Sequence, residues 1–148
     1  MFRLSRGAEY SIRGILYLSI KYAEEKVLVI EEISQASQVP VPYMAKLFQT
    51  LARKGFVKSF KGQKGGFILS KSPKEISMLD VIEAMEGPVY LNVCLINEGY
   101  CSRDLTCSVH DVWTEAQRRL FDYLKVCDFE QLAINARKKQ EVFAGINA

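Results

Sequence analysis

Apolar residues recur at helical spacing along the first part of the chain, with one short β-branched run between them. Over residues 6–23 the core-facing positions predict a first helix that Ser5 caps. These positions are Ile12, Ile15, Leu16, Ser19 and Ala23. The run VLVI at 27–30 predicts a short strand, and residues 31–38 predict a short helix with two acidic residues in its first turn.

A second amphipathic pattern predicts a helix over residues 42–54. Its core face repeats at i, i+3, i+4 and i+7 and consists of Met44, Leu47, Phe48 and Leu51. Pro42 is favourable in the first turn, where its missing N–H costs nothing, and Gly55 is a typical residue just after a helix. The turn VPVP therefore joins two short helices, an order typical of a helix-turn-helix.

A glycine-rich basic loop lies between the next two strand-like runs, at 56–60 and 66–69. The loop consists of Lys61, Gly62, Gln63, Lys64 and Gly65. A basic hairpin directly after a helix-turn-helix is typical of a DNA-binding wing. The predicted fold class is mainly α with a small β-wing: a winged helix-turn-helix DNA-binding domain plus a long C-terminal dimerisation helix. A winged helix that does not bind DNA is the alternative.

The second half of the chain predicts three further helices, over residues 77–87, 108–126 and 128–139. The apolar stripe of the long middle helix is wider than a lone terminal helix needs. The helix therefore either folds back on its own domain or pairs with the same helix of a second subunit. The stripe consists of Val109, Val112, Trp113, Ala116, Leu120 and Leu124.

These elements suggest three parts of the chain. They are a DNA-binding domain at 1–76, a connecting helix and Cys-rich loop at 77–107, and a dimerisation helix with a C-terminal helix at 108–148.

Charge is distributed unevenly along the chain. Residues 1–75 hold 13 Lys/Arg against 6 Asp/Glu, and residues 76–148 hold 7 against 11, so the net charges are +7 and −4. The window 33–74 contains no acidic residue, and its basic residues are Lys46, Arg53, Lys54, Lys58, Lys61, Lys64, Lys71 and Lys74. A basic field of this kind favours a polyanion such as double-stranded DNA, with a solvated lysine-rich surface as the alternative.

The polar face of the 42–54 helix is expected in the major groove and the wing in the neighbouring minor groove. The candidate DNA-binding residues are Pro42, Tyr43, Lys46, Gln49, Thr50, Arg53, Lys61, Gly62, Gln63, Lys64 and Gly65. Tyr43 has an alternative role as a packed surface aromatic. We call the 42–54 helix and the wing of one protomer its reading head. A homodimer would hold two reading heads about 34 Å apart, which predicts a palindromic operator.

Membrane association is not expected from this sequence. No apolar run approaches the roughly 18 residues that span a bilayer, and the N-terminus lacks the charged-then-apolar order of a secretory signal. A cytoplasmic protein is therefore expected. Thiols stay reduced in that compartment, so clustered cysteines favour metal or redox chemistry over structural disulfides.

Three of the four cysteines and the only histidine lie close together in sequence, as Cys94, Cys101, Cys107 and His110. If the long helix starts near Cys107, His110 shares its face three positions later. The residues between the cysteines are polar, so a ligand that binds several of these side chains would organise the segment. Three chemistries fit: an iron–sulfur cluster, a Cys₃His zinc site, and metal-free thiols that are buried or reversibly oxidised.

Four segments resemble one known family. They are FRLSRGAEYSIRGILYLS, VPVPYMAKLFQTLARKGFVKSFKGQKGGFILSK, MLDVIEAMEGP and CSVHDVW, and they span roughly residues 2–135. The chain is similar to the Rrf-type winged-helix transcriptional regulators, which include IscR, NsrR, RirA and CymR. The sequence Cys107-Ser108-Val109-His110, followed by Trp113, most resembles the IscR branch.

The resemblance implies a homodimeric regulator whose operator binding is controlled by an iron–sulfur cluster that senses redox state, iron or nitric oxide. It implies ligation by three thiolates, Cys94, Cys101 and Cys107, with His110 as the preferred fourth ligand. Glu9 from the partner subunit is the second choice, because imidazole suits cluster iron better than carboxylate. A two-iron cluster is expected over a four-iron one. The first cysteine spacing is one residue longer than in the IscR pattern.

Alternatives to this function are a cluster-free repressor and a zinc-stabilised DNA-binding protein. The CymR likeness implies the first, controlled by thiol chemistry or by a partner enzyme of iron–sulfur or cysteine metabolism. An enzyme is not expected, because the only histidine lies among the thiols and the glycines near Gly65 lie in a hairpin.

Lys61 replaces the family's wing arginine and fits the narrow minor groove less well. Cys127 is expected to be a buried small hydrophobe.

Overall fold

The computed structural model describes residues 3–147, which form six α-helices and one two-stranded sheet. The helices are α1 (Arg6–Ile20), α2 (Ile30–Ser37), α3 (Val41–Arg53), α4 (Met78–Glu86), α5 (Ser108–Val126) and α6 (Phe129–Ile146). The strands are β1 (Val57–Phe60) and β2 (Gly66–Leu69), and short 3₁₀ turns cover Tyr22–Glu24, Pro73–Glu75 and Val93–Leu95. This order confirms the mainly α fold with a small β-wing.

Helix α1 is the centre of the core and contacts α2, α3, α4 and α6. Ser5 caps it as predicted, because its hydroxyl accepts the Ala8 N–H. The buried side chains of α3 are Met44, Leu47, Phe48 and Leu51, the four that the sequence pattern predicts. Gly14 of α1 lies against Phe48, so the two helices approach closely at this point.

The wing is an antiparallel hairpin in which Val57 pairs with Leu69 and Phe60 with Gly66. Phe67 and Leu69 are buried in the core, whereas Phe60, at the outer end of β1, is 45% exposed. The strand predicted at 27–30 is wrong. Only Leu28 forms a bridge, to Phe67, because Val29 already caps α2 and Ile30 begins that helix.

Helix α6 is longer than predicted and ends at Ile146 instead of residue 139. Its first turns pack in the same core as α1, where Phe129 and Ala133 are fully buried. Asp128 caps it by accepting the Gln131 N–H at 2.9 Å. The helix is therefore tied to the DNA-binding half of the chain by buried apolar contacts.

The junction between α5 and α6 is joined to the start of α4 by backbone hydrogen bonds. The Met78 N–H donates to the Cys127 carbonyl and the Phe129 N–H donates to the Ile76 carbonyl, each at 2.9 Å. Cys127 is half-buried here, not buried as predicted, at the point where the chain passes from α5 to α6. None of the helices within residues 3–147 combines the length and the apolar character needed to cross a membrane.

Candidate functional site: a basic reading head and a Cys-rich loop

The polar face of α3 lies on the surface, as the sequence pattern predicts. Tyr43, Lys46, Gln49 and Arg53 are exposed. Thr50 is half-buried, accepts a hydrogen bond from the Arg53 guanidinium at 3.1 Å and donates one to the Lys46 carbonyl at 3.4 Å. These contacts orient Arg53 along the helix surface.

Tyr43 is held at the start of α3 by residues of α1. Its ring meets the Tyr10 ring edge-on with the centroids 5.5 Å apart, and the Arg13 guanidinium lies 5.3 Å from the Tyr10 centroid. Arg13 also reaches the Ser37 carbonyl, at 3.5 Å. The sequence reasoning missed Tyr10 and Arg13, whose i, i+3 spacing on α1 was the available signal.

The basic residues of the window 33–74 are all exposed. None of them forms an ion pair (N···O within 4.0 Å) with an acidic side chain of residues 3–147, whereas Lys21 and Lys26 are paired with Glu24. The charges on α3 and on the wing are thus available to a ligand. Lys61 and Lys64 lie in the loop between the two strands and are exposed.

The predicted stripe of α5 is only partly covered within the described residues, where α5 contacts α4, and no residue of α5 is buried. Val109 and Val112 are 58% and 66% exposed, Trp113 is exposed, and Ala116, Leu120 and Leu124 are half-buried. The end of α6 adds three more exposed apolar residues: Val142, Phe143 and Ile146. Exposed apolar surface on this scale is typical of a protein–protein interface.

The Cys-rich loop (residues 88–107) joins the end of α4 to the start of α5. Cys94 lies in the turn Val93–Leu95, and Cys107 is the N-cap residue of α5, so the helix begins where the sequence predicts. Cys94, Cys101 and His110 line one open cavity of about 850 Å³ between the loop and α5; Cys107 is not in that lining. The loop is anchored to α5 where Gln117 accepts the Leu91 N–H at 2.9 Å.

The thiols are not gathered into a metal-binding group. All four cysteines are free and half-buried, and no three His, Cys, Asp or Glu side chains within residues 3–147 converge closely enough for a metal ion. The donor set nevertheless fits an iron–sulfur cluster or zinc in its chemistry, since thiolates and imidazole are the ligands that both prefer. Two shielded polar atoms at the cavity, Nδ1 of His110 and Oδ1 of Asp104, also lack a hydrogen-bond partner in the described part of the chain.

Sequence comparison identifies the family. The Rrf2 family, described as iron-dependent transcriptional regulators, matches residues 4–135. The chain belongs to the Rrf2 family of transcriptional regulators. This result confirms the resemblance to the Rrf-type regulators that the four sequence segments indicate.

Three known proteins illustrate the relationship of this Rrf2 protein to its family. A putative HTH-type transcriptional regulator of Aquifex aeolicus is 32% identical over 88% of this chain and 90% of the relative. IscR of Pectobacterium carotovorum is 29% identical over 90% of this chain and 80% of its own length. The structure of CymR, the global cysteine regulator of B. subtilis, superposes with a TM-score of 0.67 at 27% identity, covering 91% of this chain and 98% of CymR.

Proposed function

We propose that this Rrf2 protein is a homodimeric, sequence-specific DNA-binding regulator whose operator binding is controlled by an iron–sulfur cluster. Cys94, Cys101, Cys107 and His110 would hold the cluster. The observation that carries the proposal is the cavity at the start of α5, which two of the thiols and the only imidazole line together. Similarity to IscR supports the presence of a cluster, and the choice of ligands rests on the residues of this chain.

DNA binding is supported by the unpaired basic surface of α3 and the wing. Helix α3 follows a tight turn and exposes Lys46, Gln49 and Arg53, the residue types that contact phosphates and base edges. The wing loop carries two further lysines for an adjacent groove. If two protomers make about eight phosphate contacts, the slope of log K against log[salt] is near −7.

Dimerisation is supported by the exposed N-terminal part of the α5 stripe. Valine and tryptophan side chains exposed at Val109, Val112 and Trp113 lose their contact with water when a second α5 packs on them. Pairing through one helix per protomer creates a two-fold axis, so the operator is expected to be palindromic with half-sites about 34 Å apart.

The coupling between loop and DNA is supported by the connections of α5 at its two ends. The Cys-rich loop leads from α4 into the N-terminus of α5, and the Met78–Cys127 hydrogen bond returns from its far end to α4. Held by Cys94, Cys101, Cys107 and His110, a cluster would link the loop to α5 in a way that depends on iron and on oxidation. A shift of α5 relative to α4 changes the separation of the two reading heads, so ligation and DNA binding each bias the other.

Iron and sulfide content of variants purified without air tests the ligand assignment. Wild type is expected to be brown and to contain iron and sulfide, and Cys94→Ser, Cys101→Ser and Cys107→Ser are each expected to lose most of both. Cys127→Ser is the matched control, because Cys127 lies outside the Cys-rich loop, and it should retain them. Equal loss from all four variants, or wild type with neither iron nor sulfide, contradicts the assignment.

DNA binding is tested by selection from a pool of random duplexes. The expected product is a palindrome with half-sites one helical turn apart, and Lys46→Ala should weaken its binding. Enrichment of a single half-site contradicts the dimeric reading head.

A cluster-free regulator is the second candidate, and the separation of Cys107 from the cavity lining favours it. Colourless protein with stoichiometric zinc indicates a zinc-stabilised DNA-binding protein. Colourless, metal-free protein whose operator affinity changes on thiol oxidation, or on addition of a partner enzyme, indicates a CymR-like repressor.

A further inference from the structure

The Asp104 carboxylate faces the His110 imidazole at the wall of the loop cavity. Oδ1 of Asp104 lies 3.4 Å from Nδ1 of His110, and the two side chains are 13% and 23% exposed. Both atoms are shielded from solvent, and neither makes a hydrogen bond within residues 3–147. A modest rotation of the imidazole, which turns the Nδ1–H toward the oxygen, would complete the bond and satisfy both atoms.

Asp104 is itself anchored by the loop. Its Oδ2 accepts the Gly99 N–H at 3.0 Å, and its own N–H donates to the Cys101 carbonyl at 3.2 Å. His110 is anchored by the helix, since its N–H donates to the Cys107 carbonyl at 3.1 Å and its carbonyl accepts the Thr114 hydroxyl at 2.9 Å. The carboxylate therefore bridges from the loop to the first turn of α5.

A histidine that binds a metal through one ring nitrogen usually donates the N–H of the other nitrogen to a carboxylate, a carbonyl or water. That hydrogen bond fixes the tautomer and the ring orientation. In this chain Asp104 faces Nδ1, which leaves Nε2 as the nitrogen free to act as a ligand.

We propose that Asp104 is a positioning residue for His110: it accepts the Nδ1–H and presents Nε2 to the iron. The inference rests on the proposed function, because it takes His110 as a ligand. It goes further by assigning the tautomer, the ligating atom and the residue that sets both. Sequence spacing alone does not distinguish Asp104 from Glu98 or Asp111, which also line the cavity.

A purely structural role for Asp104 is the competing explanation, because its hydrogen bond to Gly99 shapes the loop. The two roles differ in their dependence on His110. A positioning residue has no effect once its histidine is removed, whereas a loop-forming residue has the same effect with or without it.

The test is iron retention against a chelator, measured for anaerobically purified wild type, Asp104→Ala, Asp104→Asn, His110→Ala and the Asp104→Ala/His110→Ala double variant. Asp104→Ala is expected to weaken retention 10–100-fold. Asp104→Asn should recover part of the loss, because the amide oxygen still accepts the imidazole N–H. The double variant should match His110→Ala alone. Circular dichroism of each variant confirms that it is folded.

Four results overturn the inference. If either Asp104→Ala or His110→Ala retains iron as well as wild type, Asp104 and His110 do not act as the proposed pair. The assignment of the thiols as cluster ligands is unaffected by that result. If Asp104→Ala lowers iron retention equally in the wild-type and His110→Ala backgrounds, Asp104 shapes the loop and does not position His110. Wild type that contains neither iron nor sulfide refutes the proposed function itself, and the inference with it.

Discussion

Replacement of Gly14 by alanine tests the packing that orients the reading head. A Cβ at this position would lie 2.8 Å from Cζ of Phe48, closer still to its Cε2, and 3.3 Å from the Met44 sulfur. Carbon atoms in favourable contact are about 3.5–4.0 Å apart, so α1 and α3 must separate or Phe48 must leave its rotamer. Overpacking of this kind costs about 1–3 kcal/mol.

Alanine in place of glycine also stabilises a helix interior, by about 0.5–1 kcal/mol, which partly offsets the clash. The net expectation for Gly14→Ala is therefore a loss of about 0–2.5 kcal/mol in the free energy of unfolding, with the middle of the range at about 1 kcal/mol. Urea denaturation followed by circular dichroism measures it, and an unchanged slope with denaturant shows that only stability has changed.

Gly7→Ala is the matched control on the same helix. Its Cβ would meet Leu47, Ser5 and Tyr43 at 3.5–3.6 Å, which are ordinary contact distances, so this variant should be as stable as wild type or slightly more stable. A Gly14→Ala variant that gains as much stability as Gly7→Ala would refute the close approach of α1 to α3.

Three further predictions concern the wing, α1 and α6. Replacing Lys61 and Lys64 by alanine should flatten the salt dependence of DNA binding by about 0.9 for each lysine that contacts a phosphate, measured by titration at several salt concentrations. Burial and the hydrogen bond to the Glu32 carboxylate raise the pKa of Tyr17 to about 12, so the folded state favours the neutral phenol. The stabilisation that Tyr17 contributes is present below pH about 10 and is lost as the pH rises toward 12. In a pH titration followed by tyrosinate absorbance, Tyr17→Phe should abolish the last step. Asp128→Ala should destabilise the protein by about 1 kcal/mol in thermal unfolding, with Asp128→Asn near wild type, because the cap of α6 is lost.

The sequence predicts best those elements whose bounds and buried faces follow from the pattern of their own residues. Helix α5 begins and ends where the repeating pattern of apolar residues predicts. The buried face of α3 follows from the i, i+3, i+4, i+7 spacing of its apolar residues. The segment 27–30 has the composition of a strand, but its pairing depends on a distant partner. Only Leu28 reaches one, because the helix that follows starts within the same run.

The parts that sequence reasoning missed depend on contacts between segments. The last turns of α6 carry exposed apolar residues with no core to face, so periodicity gave no reason to extend the helix past residue 139. Cys127 is half-buried instead of buried, and its carbonyl accepts the N–H of Met78, the first residue of α4. The approach of Asp104 to His110 is set by the path of an irregular loop, which follows no period that a sequence pattern can report.

Control of operator binding by the cluster is tested most directly by one affinity measurement on one preparation. The selected palindrome is titrated with protein purified without air, and the titration is repeated after a chelator has removed the iron, with iron content recorded for both. If the cluster controls binding, the dissociation constant changes by at least about fivefold, the lower end of coupling between linked sites. Superimposable binding curves for the iron-loaded and iron-free protein would contradict it.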